Sequence, residues 1–539
     1  MTPPTILDEP TSAAPVVTRP PHRPKIGFVS LGCPKNLVDS EVMMGLLHHA
    51  GGELTPNAED AEILVVNTCS FIDSAKQESV NTILEMVQMK TVAHGGAGKG
   101  NAQRLIVAGC LVERYRDEIR KNIPEVDAVV GTGELEAILI AAGLNPQAPL
   151  TAFNSPFNIL TSNDLVSRAS SAVHQHSHPT EVGAQLASRA EGDLREQQGR
   201  FSRASWDGAT AALPEYLYSD LTPRILTTPR ASAYIKIAEG CDHPCSFCII
   251  PQLRGKFRSR RMSSIVAEAE NLIAQGVREI TLIGQDTTCY GEDLGLVENG
   301  EPVGLAQLLD ALAVLPGLRW LRFLYTYPNK VTTRLLETMA KHATIAKYLD
   351  VPLQHASPSV LKRMKRGGTP DVFLKLLEKA RRIVPGIVIR TSFIVGFPGE
   401  TEADFDTLCE FIQAAKIDWL GVFTYSDEDG AAAFKLDPAL KLPKRTIEAR
   451  RRKLMRLQQK ISIKSKAAWV GREIDLLVEG ESEETELLWQ GRTPLHAPEI
   501  DGKVLINDFG PHETLVPGTF YKALITESHD YDVVARILE

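Results

Sequence analysis

Cysteine is scarce in this chain, at 8 of 539 residues. That density excludes a disulfide-stapled scaffold. Thiols kept free suit a reducing compartment, so the cytoplasm is the expected location. Long apolar runs are missing as well. No eighteen apolar residues follow one another, which excludes a membrane-spanning helix and a membrane partner. Residues 1–24 are rich in Pro and Thr without the apolar centre of a signal peptide, and are expected to be disordered. An excess of positive charge is absent too. The formal net charge is −8, so bulk charge does not make the molecule a nucleic-acid binder. What is present is an ordinary globular composition, 43% apolar, long enough for about two to four domains.

Three of the few cysteines crowd together. Cys241, Cys245 and Cys248 lie in Glu239-Gly240-Cys241-Asp242-His243-Pro244-Cys245-Ser246-Phe247-Cys248, behind an alternating stretch at 234–238 that suits a strand. Gly240 and Pro244 permit a tight bend that turns the thiolates toward one point. Soft thiolates select zinc, copper(I) or iron–sulfur clusters. A structural zinc wants four ligands. No fourth cysteine is near, and His243 sits awkwardly between the first two. A 4Fe-4S cluster on three thiolates keeps one iron open for a chelating substrate, and the ligand count favours it. The loop resembles the signature of the radical S-adenosylmethionine enzymes. The resemblance implies that the open iron binds S-adenosylmethionine, whose reductive cleavage gives a hydrogen-abstracting deoxyadenosyl radical.

The first 150 residues alternate strands at 25–31, 63–66, 105–108 and 127–130 with helices at 38–50 and 74–89, and a turn at 32–36. That rhythm predicts an open parallel α/β sheet. Cys33, Cys69 and Cys110 each follow a strand, at the sheet edge where ligands bind. The repeated position argues for a second three-thiolate cluster rather than three unrelated core thiols. The stretches Ser30-Leu31-Gly32-Cys33-Pro34-Lys35-Asn36, Asn67-Thr68-Cys69-Ser70-Phe71-Ile72 and Ala108-Gly109-Cys110-Leu111 resemble the N-terminal domain of the methylthiotransferases. The resemblance implies an auxiliary 4Fe-4S cluster whose open iron carries the sulfur to be inserted.

Residues 154–230 break the rhythm and read as a low-complexity linker in which Trp206, Tyr216 and Tyr218 could dock locally. His174, His176 and His178 read as a solvated tract. Strands then alternate with helices through residue 424, giving six β/α units, too few for a full eightfold barrel. The resemblance implies the open partial (β/α)6 barrel of radical S-adenosylmethionine enzymes at 231–470. Gln285-Asp286 and Gln354-His355 follow strands, on the face where barrel active sites lie. Ile394-Val395-Gly396-Phe397-Pro398-Gly399-Glu400 brings glycines to a strand end, where backbone can approach a ligand. Gln285, Gln354, Ile394, Gly396 and Glu400 are the candidate cofactor contacts, the last three by resemblance to the stretch near the adenine. Arg254 and the run 258–261 read as a basic rim, either solvated or facing an acidic group. Cys289 and Cys409 read as structural.

Residues 441–470 predict a basic helix, with Ile447, Leu454, Leu457 and Ile461 on its packing face. Five short strands follow at 471–539, an expected small antiparallel β-barrel resembling a TRAM domain. Such domains usually bind RNA, but this one carries 5 Lys or Arg against 15 Asp or Glu. That balance argues against RNA as a partner and for a basic protein. Within the methylthiotransferases, Cys33-Pro34-Lys35-Asn36 and Tyr425-Ser426-Asp427-Glu428 resemble the branch that modifies a ribosomal protein. The implied reaction is β-methylthiolation of an aspartate in small-subunit ribosomal protein twelve, with two 4Fe-4S clusters, S-adenosylmethionine and an electron donor. A transfer-RNA methylthiotransferase is the nearest alternative. An iron–sulfur scaffold or carrier protein is the alternative from another class.

Overall fold

The computed structural model describes residues 22–145, 216–298, 300–482 and 485–538. Trp206, the three histidines of the linker and the expected disorder of residues 1–21 lie outside the described residues.

The amino-terminal unit is a five-stranded parallel sheet in the order β2-β1-β3-β4-β5, formed by β1 (Lys25–Ser30), β2 (Glu53–Thr55), β3 (Ile63–Thr68), β4 (Arg104–Gly109) and β5 (Ala128–Val130). Strand β3 is buried along its whole length, as the centre of a sheet covered on both faces must be. The short edge strand β2 has no alternating pattern and escaped the sequence reading. The expected turn at 32–36 is instead the start of helix α1 (Pro34–His49), with Cys33 as its cap residue and Pro34 at its first position. Proline fits there because its missing N–H is one the first turn does not use.

Strands β6 (Ser232–Lys236), β7 (Glu279–Ile283), β8 (Trp320–Phe323), β9 (Tyr348–Asp350), β10 (Val388–Val395) and β11 (Trp419–Thr424) form the partial barrel. They lie as two three-stranded parallel sheets, β8-β7-β6 and β9-β10-β11. A single bridge from Leu321 to Ile345 spans the seam. A helix at Thr333–Lys341, not anticipated from the sequence, follows β8 and completes the third unit. The long basic helix runs from Lys444 to Ala467 and buries Leu454 against the barrel core, with Ile447, Leu457 and Ile461 partly buried beside it.

The carboxy-terminal strands β12 (Glu473–Ser482), β13 (Thr485–Arg492), β14 (Val504–Asp508), β15 (Phe520–Ser528) and β16 (Val533–Ile537) close into a barrel. It is not wholly antiparallel, because β14 pairs parallel with β16. The connection after β13 caps the amino ends of the larger barrel's strands. Arg492 reaches Glu279 at 2.8 Å and Ser232 at 3.2 Å. Trp419 Nε1 donates to the Leu495 carbonyl at 3.0 Å, and Tyr348 donates to Asp501 at 2.6 Å. Ser232, Glu279, Tyr348 and Trp419 are each the first residue of a strand.

Residues 216–230, expected to belong to a loose linker, pack as a strap. Arg224 is 2% exposed and joins Glu41 of α1 at 2.6 Å to Glu268 of the barrel at 2.7 Å. The strap is ordered because a buried guanidinium needs both carboxylates.

Replacing Arg492 with Met strands Glu279 in the interior with Arg322 as its remaining cation, at 3.4 Å. The expected loss is about 3 kcal/mol or more, read as a lowered unfolding temperature in scanning calorimetry.

Candidate active site

Both sets of three thiols come to the carboxyl edges of the sheets that carry them, and none of the eight cysteines is disulfide-bonded. In the amino-terminal unit, asparagine and hydroxyl side chains tie the three strand ends together. Asn36 donates to the Leu31 and Thr68 carbonyls at 2.6 and 3.3 Å. Asn67 donates to the Asn36 carbonyl at 2.9 Å. Thr68 donates to Ala108 O at 2.5 Å, and Ser70 to Cys110 O at 3.0 Å. Gly32 has φ +95°, and a Cβ there would stand 3.1 Å from Cys69 Sγ. The bare backbone therefore leaves open the space beside the thiol. Gly240, at φ +79°, plays the same part before Cys241, since a Cβ would strike the Lys256 carbonyl at 2.1 Å.

Burial, and then the neighbouring thiols Cys69 and Cys33, push the Cys110 thiol up to about 12 against the pull of Arg254. In the loop, burial pushes Cys241 to about 11 and Cys248 to about 12, with Cys245 adding to each. Thiols this reluctant to ionise are poor nucleophiles, but coordination to a metal deprotonates them. One arginine attends each set. Arg254 donates to Cys110 Sγ at 3.4 Å and Arg366 to Cys245 Sγ at 3.5 Å.

The two sets are brought together by buried charge. Asp39 of α1 pairs with Lys236, the last residue of β6, and with Arg254 at 2.5 Å. Glu239 pairs with Lys236 at 2.5 Å and with Arg254 at 3.4 Å. Burial works to raise the Glu239 carboxyl, but Lys236 and Arg254 outweigh it and hold it low. Arg254 and Arg260 are each 2% exposed, so these two members of the expected basic rim are internal braces, whereas Arg258 is part-exposed and Arg261 exposed. Cys110 packs against Ile249 and Leu253, which follow directly on the loop. Glu428 receives Arg114 at 2.7 Å and Lys76 at 2.9 Å, so the Tyr425–Glu428 stretch latches the barrel to the first unit.

The candidate cofactor residues divide. Gln285 donates to Glu239 at 2.6 Å, and its Oε1 is buried with no partner among the described residues. That orphaned acceptor, beside the loop, fits a donor such as the cofactor's amino group. Gln354 stands at the strand-end face with φ +71°, a strained conformation of the kind that collects at functional sites. Ile394 and Phe247 of the loop pack against the same small cluster of Val360, Met364, Phe397 and Ala433. Gly396 and Glu400 have scaffold contacts as well. Gly396 has φ +82°, and a Cβ there would meet Ile447 of the long helix at 2.5 Å. Glu400 is 3% exposed and already accepts from Gly396 N at 2.6 Å, Phe397 N at 3.2 Å and Arg450 at 2.7 Å. His355 is fully buried, accepting from Ser357 N at 2.9 Å. Of the two cysteines read as structural, Cys409 is a core thiol. The Cys289 Sγ lies 3.1 Å from Asp286, which also holds His243 at 2.5 Å. These three side chains fix the loop, and His243 stacks on Tyr327 at 3.9 Å.

Sequence reasoning missed Lys35, Asp39, Arg366 and Tyr325 as site residues, and of these only Lys35 lay within a quoted motif. Tyr325, at φ +63°, gives no signal in the sequence, because its place depends on the barrel's closure.

An open six-unit β/α barrel with a three-thiol loop after its first strand defines a radical S-adenosylmethionine enzyme. Residues 235–412 match the radical SAM superfamily, 25–131 match uncharacterized protein family UPF0004, and 470–538 match the TRAM domain. The chain is 62% identical to the ribosomal protein uS12 methylthiotransferase RimO of Koribacter versatilis, over 99% of this chain and 100% of that protein. It is 53% identical to the protein of the same name from Solibacter usitatus, over 95% of each. The chain belongs to the ribosomal protein uS12 methylthiotransferase family. Among the described residues no helix is long and apolar enough to cross a membrane.

In the reduced, metal-free protein, iodoacetamide at neutral pH should label the part-exposed Cys33 well before Cys110, which is 7% exposed, because the thiolate is the reacting form. Peptide mass mapping against time checks the order.

Proposed function

We propose that the chain methylthiolates the β-carbon of an aspartate in the basic small-subunit ribosomal protein uS12, by radical S-adenosylmethionine chemistry in the cytoplasm. The observation that carries this reading is the meeting of two three-thiol sets across one buried charge network, in a chain of this family. Cys241, Cys245 and Cys248 are the ligands of one 4Fe-4S cluster, and Cys33, Cys69 and Cys110 of the other. Three soft donors in each set, unlinked by disulfides, suit that assignment. With S-adenosylmethionine, the two clusters supply the radical that breaks an unactivated C–H bond and the methylthio group that replaces it.

The chain's own residues bind, orient and exclude water. Arg366 and Arg254 direct N–H groups at Cys245 and Cys110, which favours the more negative state of each set. Gln285 offers its unpaired Oε1 toward the cofactor, and Gln354 and Ile394 line the same face. The amino-terminal unit lies over the carboxyl ends of the barrel strands, through Asp39 to Lys236 and Arg254. That cover limits solvent access where a radical must be protected from side reactions. An acidic face supports a basic protein as partner: Glu473, Glu481, Asp508, Glu513, Glu527 and Asp530 are exposed on the carboxy-terminal barrel.

Two outcomes test the reading. The anaerobically reconstituted protein, given reductant, S-adenosylmethionine and uS12, should add one methylthio group to a single aspartate, seen by mass spectrometry. Modification of transfer RNA instead would overturn it. Cys69→Ala should keep about half the iron and still form deoxyadenosine while losing the methylthio product. Normal product from that variant would remove the second set from the mechanism.

A further inference from the structure

One cation near the thiols has no anion of its own. Lys35 follows Cys33 by two residues, in the first turn of α1, and is 8% exposed. Its ammonium lies 3.3 Å from the ring centroid of Tyr325. Among the described residues it makes no hydrogen bond and no ion pair. The charged or ionisable groups that face it are Cys33, Arg254, Glu239 and Asp350. Both carboxylates are already committed. Glu239 takes Lys236 at 2.5 Å, Gln285 at 2.6 Å and Arg254 at 3.4 Å. Asp350 takes Arg390 at 2.7 Å and the Tyr325 N–H at 2.7 Å.

An ammonium on a side chain only 8% exposed, held by nothing but a ring face, forgoes much of its solvation. An incoming carboxylate would restore it with a charge-assisted hydrogen bond. The position suits such a ligand. Tyr325, under the ammonium, feels the charge of Cys33, two residues before Lys35. Tyr327, two residues on, feels that of Cys245 and Cys241 and stacks on His243, which lies between them in the loop. Lys35, in the first turn of α1 beside one thiol set, therefore stands over the strand end whose Tyr327 side chain stacks on the loop of the other. A side chain whose β-carbon is to be attacked between the two sets would carry its carboxylate into this space.

We infer that Lys35 binds the carboxylate of the acceptor aspartate and selects aspartate over its uncharged isostere. The inference rests on the proposed function. It assigns Lys35 a positioning and specificity role, with Tyr325 as the platform that keeps the ammonium in place. Tyr325 is held at φ +63°, a strained backbone that fixes where the ring lies.

The test is a two-by-two comparison of affinities, measured by fluorescence anisotropy. The proteins are the wild type and Lys35→Met; the ligands are uS12 and uS12 with its acceptor aspartate replaced by asparagine. The wild type should prefer the aspartate form by about tenfold or more. Lys35→Met should bind both forms alike, and Lys35→Arg should recover part of the preference. Iron content of each variant reports whether the thiol sets still load. A wild type that binds both forms equally would overturn the inference, as would a preference that survives in Lys35→Met. The only other carboxylate on offer is that of S-adenosylmethionine. Equilibrium dialysis separates the sources: Lys35→Met should keep its S-adenosylmethionine affinity, and loss of that affinity with the aspartate preference intact would overturn the inference. Failure of the functional reading looks different, as no methylthiolated uS12 even from the wild type.

Discussion

Asp39 holds the active site together. It stands one turn into α1, in the amino-terminal unit, yet both of its partners, Lys236 and Arg254, belong to the barrel. Lys236 ends the first barrel strand and Arg254 ends the short helix after the thiol loop. One carboxylate thus fixes the distance between the two thiol sets. The arrangement is costly to bury and costly to break, since removing any one partner leaves an unpaired charge in the interior. Glu239 completes the balance, and Lys35, left over, is the group free to meet a ligand.

The other contacts between units serve the same alignment from different directions. The strap at 216–230 ties α1 to the barrel flank through Arg224. Glu428 ties the end of the last barrel strand to Arg114 and Lys76. The carboxy-terminal barrel closes the opposite end, with Arg492, Leu495 and Asp501 meeting the first residues of the strands. The carboxyl face is thereby left to the chemistry and the amino face to structure, as in barrels generally. The acidic carboxy-terminal surface lies beyond that cap, where it suits recruitment of a basic protein rather than reaction.

Much of this was legible beforehand because the signals are local. A glycine before Cys33, Cys110 and Cys241, and strands running into each, mark thiols placed by backbone geometry. Less was legible where tertiary context decides. Gly396 and Glu400, read as a strand-end loop near the cofactor, also have scaffold contacts that no local pattern records: the glycine makes room for Ile447, and the glutamate accepts from two backbone N–H groups and Arg450. Arg254 and Arg260 read as part of a rim, either solvated or facing an acidic group; both are buried against internal carboxylates. Their burial depends on Asp39 and Glu268, 215 and 8 residues away. Cys289 matched no spacing pattern because its partners, Asp286 and His243, come from two different strand ends.

The sequence alone determined the thiol sets, the three architectural units and the acid balance of the last one. Each depends on residue type and short spacing, which the chain carries wherever it folds. Tertiary structure alone decided that the two thiol sets face each other, that residues 216–230 brace the units, and that Lys35 has no anion paired with it among the described residues. These are outcomes of charge pairing across long sequence separations. Which carboxylate takes which cation in a buried space follows from competition among all of them at once, and no local pattern records the result.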